Sequence, residues 1–477
     1  MRKLVVILSA STFLLLAGGV AANEASAAKR AVPQGFLGVD LDPGEADLAG
    51  VDMNAQLDAA AAAGVESIRF PLYWFRIQPF SSASNVPSGQ TGNFTADPTD
   101  PTGAPYDWTN LDAWVGAAAS RGIRLFPSVM GAPDWAADPN FPVYKSWAQN
   151  RTLHMGVPEN LDQFGAFVAT LAGRYGSQGT YWAAHPSITK VPVAQWQIWN
   201  EPNFDYYWPQ HDSECVSSTK MTATPSPCPS VTITGLDRKP LAVNLPTITA
   251  PLKATLDANP KLWTAVDTAL LKKKLKRPHW APSFVKMLKV VKPKVKQIDP
   301  SAKIVLASLT NMGWLDLTAI YSVGGKGSFD TIGVNMFVLV ANTAKLVKFY
   351  RDALKKAGDS SIPLVITEFA WASGFGKLPA DHKMKTIITT PANQAKNLGL
   401  QLDQLVKLTS SSKVTGAFWY RWASPNASAT DVWDWTGLNQ VRLGTVTNTA
   451  TLDTFRGRAM KIEACKTKVL ASSCKTK

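Results

Sequence analysis

Two glutamates are placed where they could do chemistry together. Glu201 follows the apolar run 193–199 within Trp199-Asn-Glu-Pro-Asn203, and Glu368 follows 362–367 within Ile366-Thr-Glu-Phe-Ala-Trp371. A carboxylate at the end of an apolar strand is costly to desolvate unless it meets a partner or water. Two of them facing one cleft suit cleavage of a glycosidic bond. One must be protonated to give a proton to the leaving oxygen, and the other ionised to attack or stabilise the anomeric carbon. Mutual repulsion and burial would raise the acid's pKa, while a nearby cation would hold the other ionised; Arg69 is the candidate cation. The plain alternative is two rim glutamates paired with surface bases.

Positioning such a pair needs a scaffold that brings distant strand ends together, and the chain alternates in that way. Short apolar runs at 35–41, 65–74, 123–130, 193–199, 303–310, 329–337, 362–367 and 414–422 read as strands. Helical stretches fall between them at 54–63, 111–120, 161–175, 282–292, 314–323, 344–357 and 393–408, with a closing helix at 452–464. Phe164, Phe167, Val168 and Leu171 show the helical spacing most clearly. The stretch 314–323 is the shortest and weakest of the series. Eight strand–helix units predict an α/β fold, a (β/α)₈ TIM barrel, with both glutamates at the C-terminal rim on strands four and seven.

One segment breaks the alternation. Residues 206–277 form a long insertion after strand four, rich in Thr, Pro and Ser, with a helix expected at 260–271 and Asn259 placed to cap it. It leaves the catalytic rim, so it is expected to cover one side of the cleft. The four cysteines form two close pairs, Cys215 with Cys228 and Cys465 with Cys474, each expected to close a local loop. No C-x-x-C or clustered histidine accompanies them, which argues against zinc, and no cofactor motif is visible.

The chain start fixes an expected compartment. Arg2 and Lys3, an apolar stretch to Val20 and Ala25-Ser-Ala27 form the pattern of a signal peptide over 1–27. The remaining 28–477 would form the barrel domain of a secreted or cell-envelope protein. No second run is long enough to span a bilayer. The formal charge is +14. Residues 272–296 carry ten Lys/Arg and no acid, and the tail 456–477 carries seven against Glu463. The default reading is a solvated face; the sharper one is attraction to an anionic polysaccharide. Export and the lack of a binding motif argue against nucleic acid.

These motifs together resemble the clan A glycoside hydrolases, retaining enzymes on (β/α)₈ barrels. Asn200-Glu201-Pro202 is similar to the clan's acid/base motif, Thr367-Glu368-Phe369 to its nucleophile motif, Arg69 to its strand-two arginine and Trp419 to its strand-eight aromatic. Tyr106-Asp-Trp108…Leu111-Asp112 and Ala132-Pro-Asp-Trp135 resemble the β-xylosidase and α-L-iduronidase branch and cellulase-like relatives. The resemblance spans about Gly35 to Gly437 apart from the insertion. It implies Glu201 as acid/base, Glu368 as nucleophile, and Arg69, Asn200, Trp135, Asn335 and Trp419 as residues that meet a carbohydrate substrate. A retaining mechanism also implies carboxyl groups about 5–5.5 Å apart. One position departs from the clan. Strand six ends Asn335-Met-Phe337 where many members carry His-x-Tyr, and Phe337 cannot donate a hydrogen bond, so either another group such as Tyr420 orients Glu368 or activity is weak or altered. A non-catalytic carbohydrate-binding barrel is the second reading, and an envelope interaction protein acting through its basic segments the third. Trp74, Trp135, Trp199, Tyr206, Tyr207, Trp208, Trp371, Trp419 and Trp422 supply rings for sugar stacking, with about half expected in the core.

Overall fold

A computed structural model describes residues 32–462, apart from 99, 139–143, 146–151, 154–155, 205–206, 209–213, 218–225, 277–279 and 311. The expected leader 1–27, the expected Cys465–Cys474 pair, most of the basic tail and Tyr206 lie outside the described residues.

Eight parallel strands close into a barrel: β1 Leu37–Asp40, β2 Ser67–Tyr73, β3 Arg124–Met130, β4 Gln195–Asn200, β5 Lys303–Leu309, β6 Thr331–Met336, β7 Leu364–Phe369 and β8 Val414–Trp419. Each is short, apolar and almost wholly buried, as parallel strands covered on both faces must be. Helices α1 Met53–Ala62, α2 Thr109–Ala119, α3 Leu161–Tyr175, α4 Ala281–Ile298, α5 Gly313–Ser322, α6 Thr343–Lys356, α7 Pro391–Ser412 and α8 Ala450–Ile462 follow the strands in turn. The expected (β/α)₈ barrel is the fold, and α5, the weakest expectation, is a helix of ten residues. In α3 the side chain of Asn160 accepts from the amides of Asp162 and Gln163, and Phe164, Phe167, Val168 and Leu171 are buried.

The barrel floor is a packed layer, not a pore. Phe126, Val305 and Val365 point inward from β3, β5 and β7, alternate strands of one layer. The fourth place of that layer belongs to Gly38 of β1. The Phe418 ring fills the space, so a Cβ on Gly38 would lie 2.2 Å from that ring. Further toward the C-terminal ends the inward residues turn polar: Asp40, Ser128, Ser308 and Glu368 on β1, β3, β5 and β7. The apolar floor supports the polar mouth.

The insertion carries its own small core around Cys215, Cys228, Val231, Ile233, Val243, Leu256, Val266 and Leu270. A Cys215–Cys228 disulfide joins Glu214–Ser217 to the chain beyond Ser226–Pro227, and Val231–Thr234 forms a hairpin with Pro240–Val243. The expected helix is present as Pro260–Lys272 with Pro260 at its start. The expected Asn259 cap is not made: its side-chain amide donates back to the carbonyl of Thr255. The side chain is turned back onto the last turn of the preceding helix Ala250–Asp257, so its oxygen, the atom a cap needs, accepts from no amide of the new helix.

Gly38→Ala tests the floor. Overpacking against Phe418 should cost roughly 1–3 kcal/mol and lower the urea midpoint. An unchanged midpoint would mean that the Phe418 ring has room to turn away.

Candidate active site

The mouth is organised by one guanidinium. Arg69, on β2, is buried at 5% exposure. Its Nη1 donates to Asp40 Oδ1 at 2.6 Å and to Glu368 Oε1 at 2.8 Å. Its Nη2 donates to Asn200 Oδ1 at 2.8 Å and to Ser308 Oγ at 3.3 Å, and its Nε to Gln197 Oε1 at 2.9 Å. Gln197 continues the network by donating to Ser128 Oγ at 2.9 Å and to the Trp199 carbonyl at 2.7 Å. One side chain from β2 thereby ties together residues of β1, β4, β5 and β7. A planar fork with five donors suits this task; a lysine could not reach partners in so many directions.

Local backbone geometry aims the two glutamates. In a regular strand Asn200 and Glu201 would point to opposite faces. Trp199 and Glu201 instead have φ of 70° and 41°, in the left-handed region. The Glu201 amide donates to the Ser308 carbonyl at 3.0 Å. Asn200 therefore meets Arg69 while Glu201 meets Asn335, and both side chains end in the same mouth. Left-handed geometry at a bulky residue costs on the order of 1–3 kcal/mol, a strain held here by the surrounding network. On β7 the register against β6 slips between Val334 and Asn335, so Glu368 stands opposite Asn335. A bulge of this kind re-aims a side chain at a strand end.

Asn335 links the pair. Its Nδ2 donates to Glu201 Oε1 at 2.7 Å, while Thr367 Oγ1 donates to its Oδ1 at 2.9 Å and fixes which way the amide faces. The same amide lies beside Glu368 and favours its charged form. Burial raises both glutamates, but their neighbours divide them. Burial and the charge of Glu368 push Glu201 up to about 8, only partly opposed by Asn335 and Arg69. Burial raises Glu368 too, and its direct ion pair with Arg69 opposes that rise. Asp40 is pushed well above the usual carboxylate range, first by burial and, with Arg69 opposing, also by Glu368. Its second oxygen, Oδ2, is buried without a hydrogen-bond partner among the described residues. Asp40 and Glu368 share one nitrogen of Arg69, so the protonation of one changes the pull that the guanidinium exerts on the other.

The expected site residues fall into two groups. Arg69, Asn200, Asn335, Glu201 and Glu368 come together. Asn335 is wholly buried and acts on the carboxylates, so its visible role is to position them. Trp135 is half-buried at the rim, where its indole donates to the Gln78 carbonyl and stands edge-on to Trp74. Trp419 is placed differently from the expectation. It is wholly buried, stands edge-on to Phe369 and donates to the Thr436 carbonyl. The ring that feels the carboxylates is that of the next residue, Tyr420, whose hydroxyl is raised by burial and, through space, by the charges of Glu368 and Asp40. Period-two alternation explains the exchange. Phe337 packs against Tyr420 and Trp433, with ring centroids 6.4 and 4.6 Å away. Trp74, Trp199, Trp208, Trp371 and Trp422 are buried, while Tyr207 is half-buried. Asp40 and Gln197 were missed in the sequence reading. Asp40 ends an apolar strand just as the two glutamates do, so the same signal would have found it.

No family model matches this chain, and no curated protein does. Among solved structures it is similar to a family 39 glycoside hydrolase from the gut symbiont Bacteroides cellulosilyticus, at 14% identity and a TM-score of 0.49, over 90% of this chain and 63% of that one. It is similar to a monomeric β-xylosidase from Caulobacter crescentus, at 16% identity and a TM-score of 0.47, over 90% and 68% of the two chains. A glucosidase from Croceicoccus marinus gives 14%, 0.48, 90% and 68%. The chain thus spans less than two thirds of the length of the first of these proteins.

The raised Glu201 makes a stability prediction. A carboxyl whose folded pKa exceeds its unfolded value holds a proton in the native state that the unfolded state has lost. Stability therefore falls as pH rises from about 4.5 toward 8. Glu201→Gln removes that loss. Thermal melts from pH 4.5 to 9 should show the variant gaining on the wild type as pH rises. A difference independent of pH would show that Glu201 titrates as an ordinary glutamate.

Proposed function

We propose that this chain is a glycoside hydrolase that cleaves its substrate by a retaining double displacement. The observation that carries the reading is the unequal pair in one mouth: Glu201 beside Asn335 with its pKa pushed to about 8, and Glu368 on the Arg69 guanidinium. Two carboxyls whose surroundings pull their protonation apart are suited to acid and nucleophile roles. Glu201 gives its proton to the leaving oxygen while Glu368 attacks the anomeric carbon and forms a glycosyl–enzyme ester. Glu201, now ionised, takes a proton from water, which attacks the same carbon and releases Glu368. Two displacements leave the configuration unchanged, and the route calls for carboxyl groups about 5–5.5 Å apart. Arg69 and Asn335 steady Glu368 in the absence of a tyrosine at position 337, and Tyr420 is a further candidate for that task. Trp135 and Tyr207 offer half-exposed rings for the sugar.

Export is supported by the signal-peptide pattern over 1–27 and by the Cys215–Cys228 disulfide, which persists in an oxidising compartment. We place the enzyme outside the cell or at its envelope, acting on a poly- or oligosaccharide, with an anionic polysaccharide suited to its charge. No helix among the described residues is long and apolar enough to cross a membrane. Phe337 favours a second reading, a barrel that binds carbohydrate without turning it over.

Aryl glycosides separate the two readings. Glu368→Ala should lower turnover by about four orders of magnitude or more, with azide restoring part of the rate and giving a product of inverted configuration. Glu201→Ala should slow substrates with poor leaving groups most, since those depend on proton donation. A wild type that binds oligosaccharides but hydrolyses none of a broad panel would support the binding barrel instead.

A further inference from the structure

The basic run that the proposed chemistry leaves unused folds into a defined surface. Helix α4 buries Ala281, Phe284, Val285, Leu288, Val291 and Val295 against the barrel. Lys289, Lys292 and Lys296 lie on another face at helical spacing, and α4 contains no acid and no arginine. The loop before β6 completes the surface. Its Gly324 and Gly327 have φ of 80° and 82°, a turn that a side chain would strain, and Lys289 Nζ lies against Gly324. Together Lys289, Lys292, Lys296 and Lys326 line a hollow of about 390 Å³ with Pro293, Gly327 and Ser328. Since this loop enters a strand at its N-terminal end, the hollow lies on the barrel end opposite the carboxylate mouth.

The charge there is not balanced. Asp330 is the acid that pairs with this cluster, at 2.7 Å from Lys292 and 3.5 Å from Lys296. Lys326 reaches only the Gly358 carbonyl, and Lys289, which is exposed, has no hydrogen bond or ion pair among the described residues. The backbone amides of Lys326 and Gly327 donate to no backbone oxygen among the described residues. Lys292 also donates to the Phe329 carbonyl at 3.1 Å, and Lys296 to the carbonyls of Pro300 and Ala302, so Lys289 and Lys326 are the two ammonium groups open to a ligand. With the other two charges behind them and one carboxylate among them, they form with the glycine turn a concave site for anionic groups. Lysines act as flexible point charges; they suit a line of separated charges better than the bidentate grip on one phosphate that arginine provides.

We propose that this hollow and the adjoining face of α4 dock a glycan that bears repeated carboxylates, holding the barrel with its mouth turned away from the docked chain. The choice of a glycan rests on the proposed glycosidase reading. The docking itself is measured by binding and not by turnover, so the two can fail separately.

The test uses the full chain and polygalacturonate as probe, with neutral xylan and inorganic polyphosphate alongside. Wild type should bind polygalacturonate, more weakly as salt rises through the range where surface charges are screened. Lys289→Glu with Lys326→Glu should weaken that binding about tenfold or more, and the pair of glutamine substitutions should weaken it less. Lys377→Glu with Lys383→Glu, exposed lysines outside this surface, should leave it near wild type. Aryl-glycoside turnover should be unchanged in all of these. Equal loss in both glutamate pairs would reduce the effect to net charge and overturn the site. Binding of polyphosphate without polygalacturonate would overturn the carboxylate assignment, and polygalacturonate binding insensitive to Lys289 and Lys326 would overturn the location.

Discussion

The Arg69 guanidinium holds Asp40 and Glu368 on one nitrogen, Asn200 and Ser308 on the second and Gln197 on the third. Burying a cation this deeply is tolerable only because each direction meets an acceptor and two of them are carboxyls. The converse holds for its partners: Glu368 and Asp40 can sit in a closed mouth because Arg69 is there. Removing it would strand two buried carboxyls and release four strands from a common anchor. Fold and chemistry are coupled at that residue, since the contacts that fix the mouth also set which carboxyl keeps its proton.

That coupling depends on a sharp change along the barrel axis. The floor of Phe126, Val305, Val365 and Phe418 is apolar and excludes water from below. A few residues further along the barrel, the inward positions Asp40, Ser128, Ser308 and Glu368 carry hydrogen-bonding groups. Low polarity beneath the polar layer strengthens each charge interaction above it. This is why Asn335, with no charge of its own, has leverage: it donates to Glu201, accepts from Thr367 and lies beside Glu368. The opposite end of the barrel has the reverse character, with exposed lysines and little acid around α4. The two ends are thus chemically distinct faces of one scaffold.

Much of this was legible in the sequence. Strand–helix alternation is a local pattern, and all eight strands fall within three residues of where apolar runs and glycine punctuation put them. α3 is matched at both ends because its period and its Asn160 cap agree. Glu201 and Glu368 were legible because a carboxylate ending an apolar strand is out of place unless the fold needs it. What failed to show depends on the third dimension. Trp419 and Tyr420 are adjacent and both aromatic, and which of them turns inward depends on the strand's phase, which one residue of register reverses. The left-handed turns at Trp199 and Glu201 are set by pairing with β5 and leave no mark in composition. The Asn259 side chain is drawn back to the Thr255 carbonyl at the end of the short helix Ala250–Asp257, an element the sequence reading did not contain.

The claim that Glu368 is a nucleophile aimed at an anomeric carbon can be tested by trapping. A glycoside with fluorine at carbon 2 and a good leaving group slows both displacements but the second more, so the ester accumulates. Such reagents, made for whichever sugars the wild type turns over, should add one glycosyl mass to the intact protein. Peptide mapping should place that mass on Glu368, and Glu368→Gln should take up none. An adduct on any other residue, or turnover without a trapped ester for every sugar tried, would contradict the account.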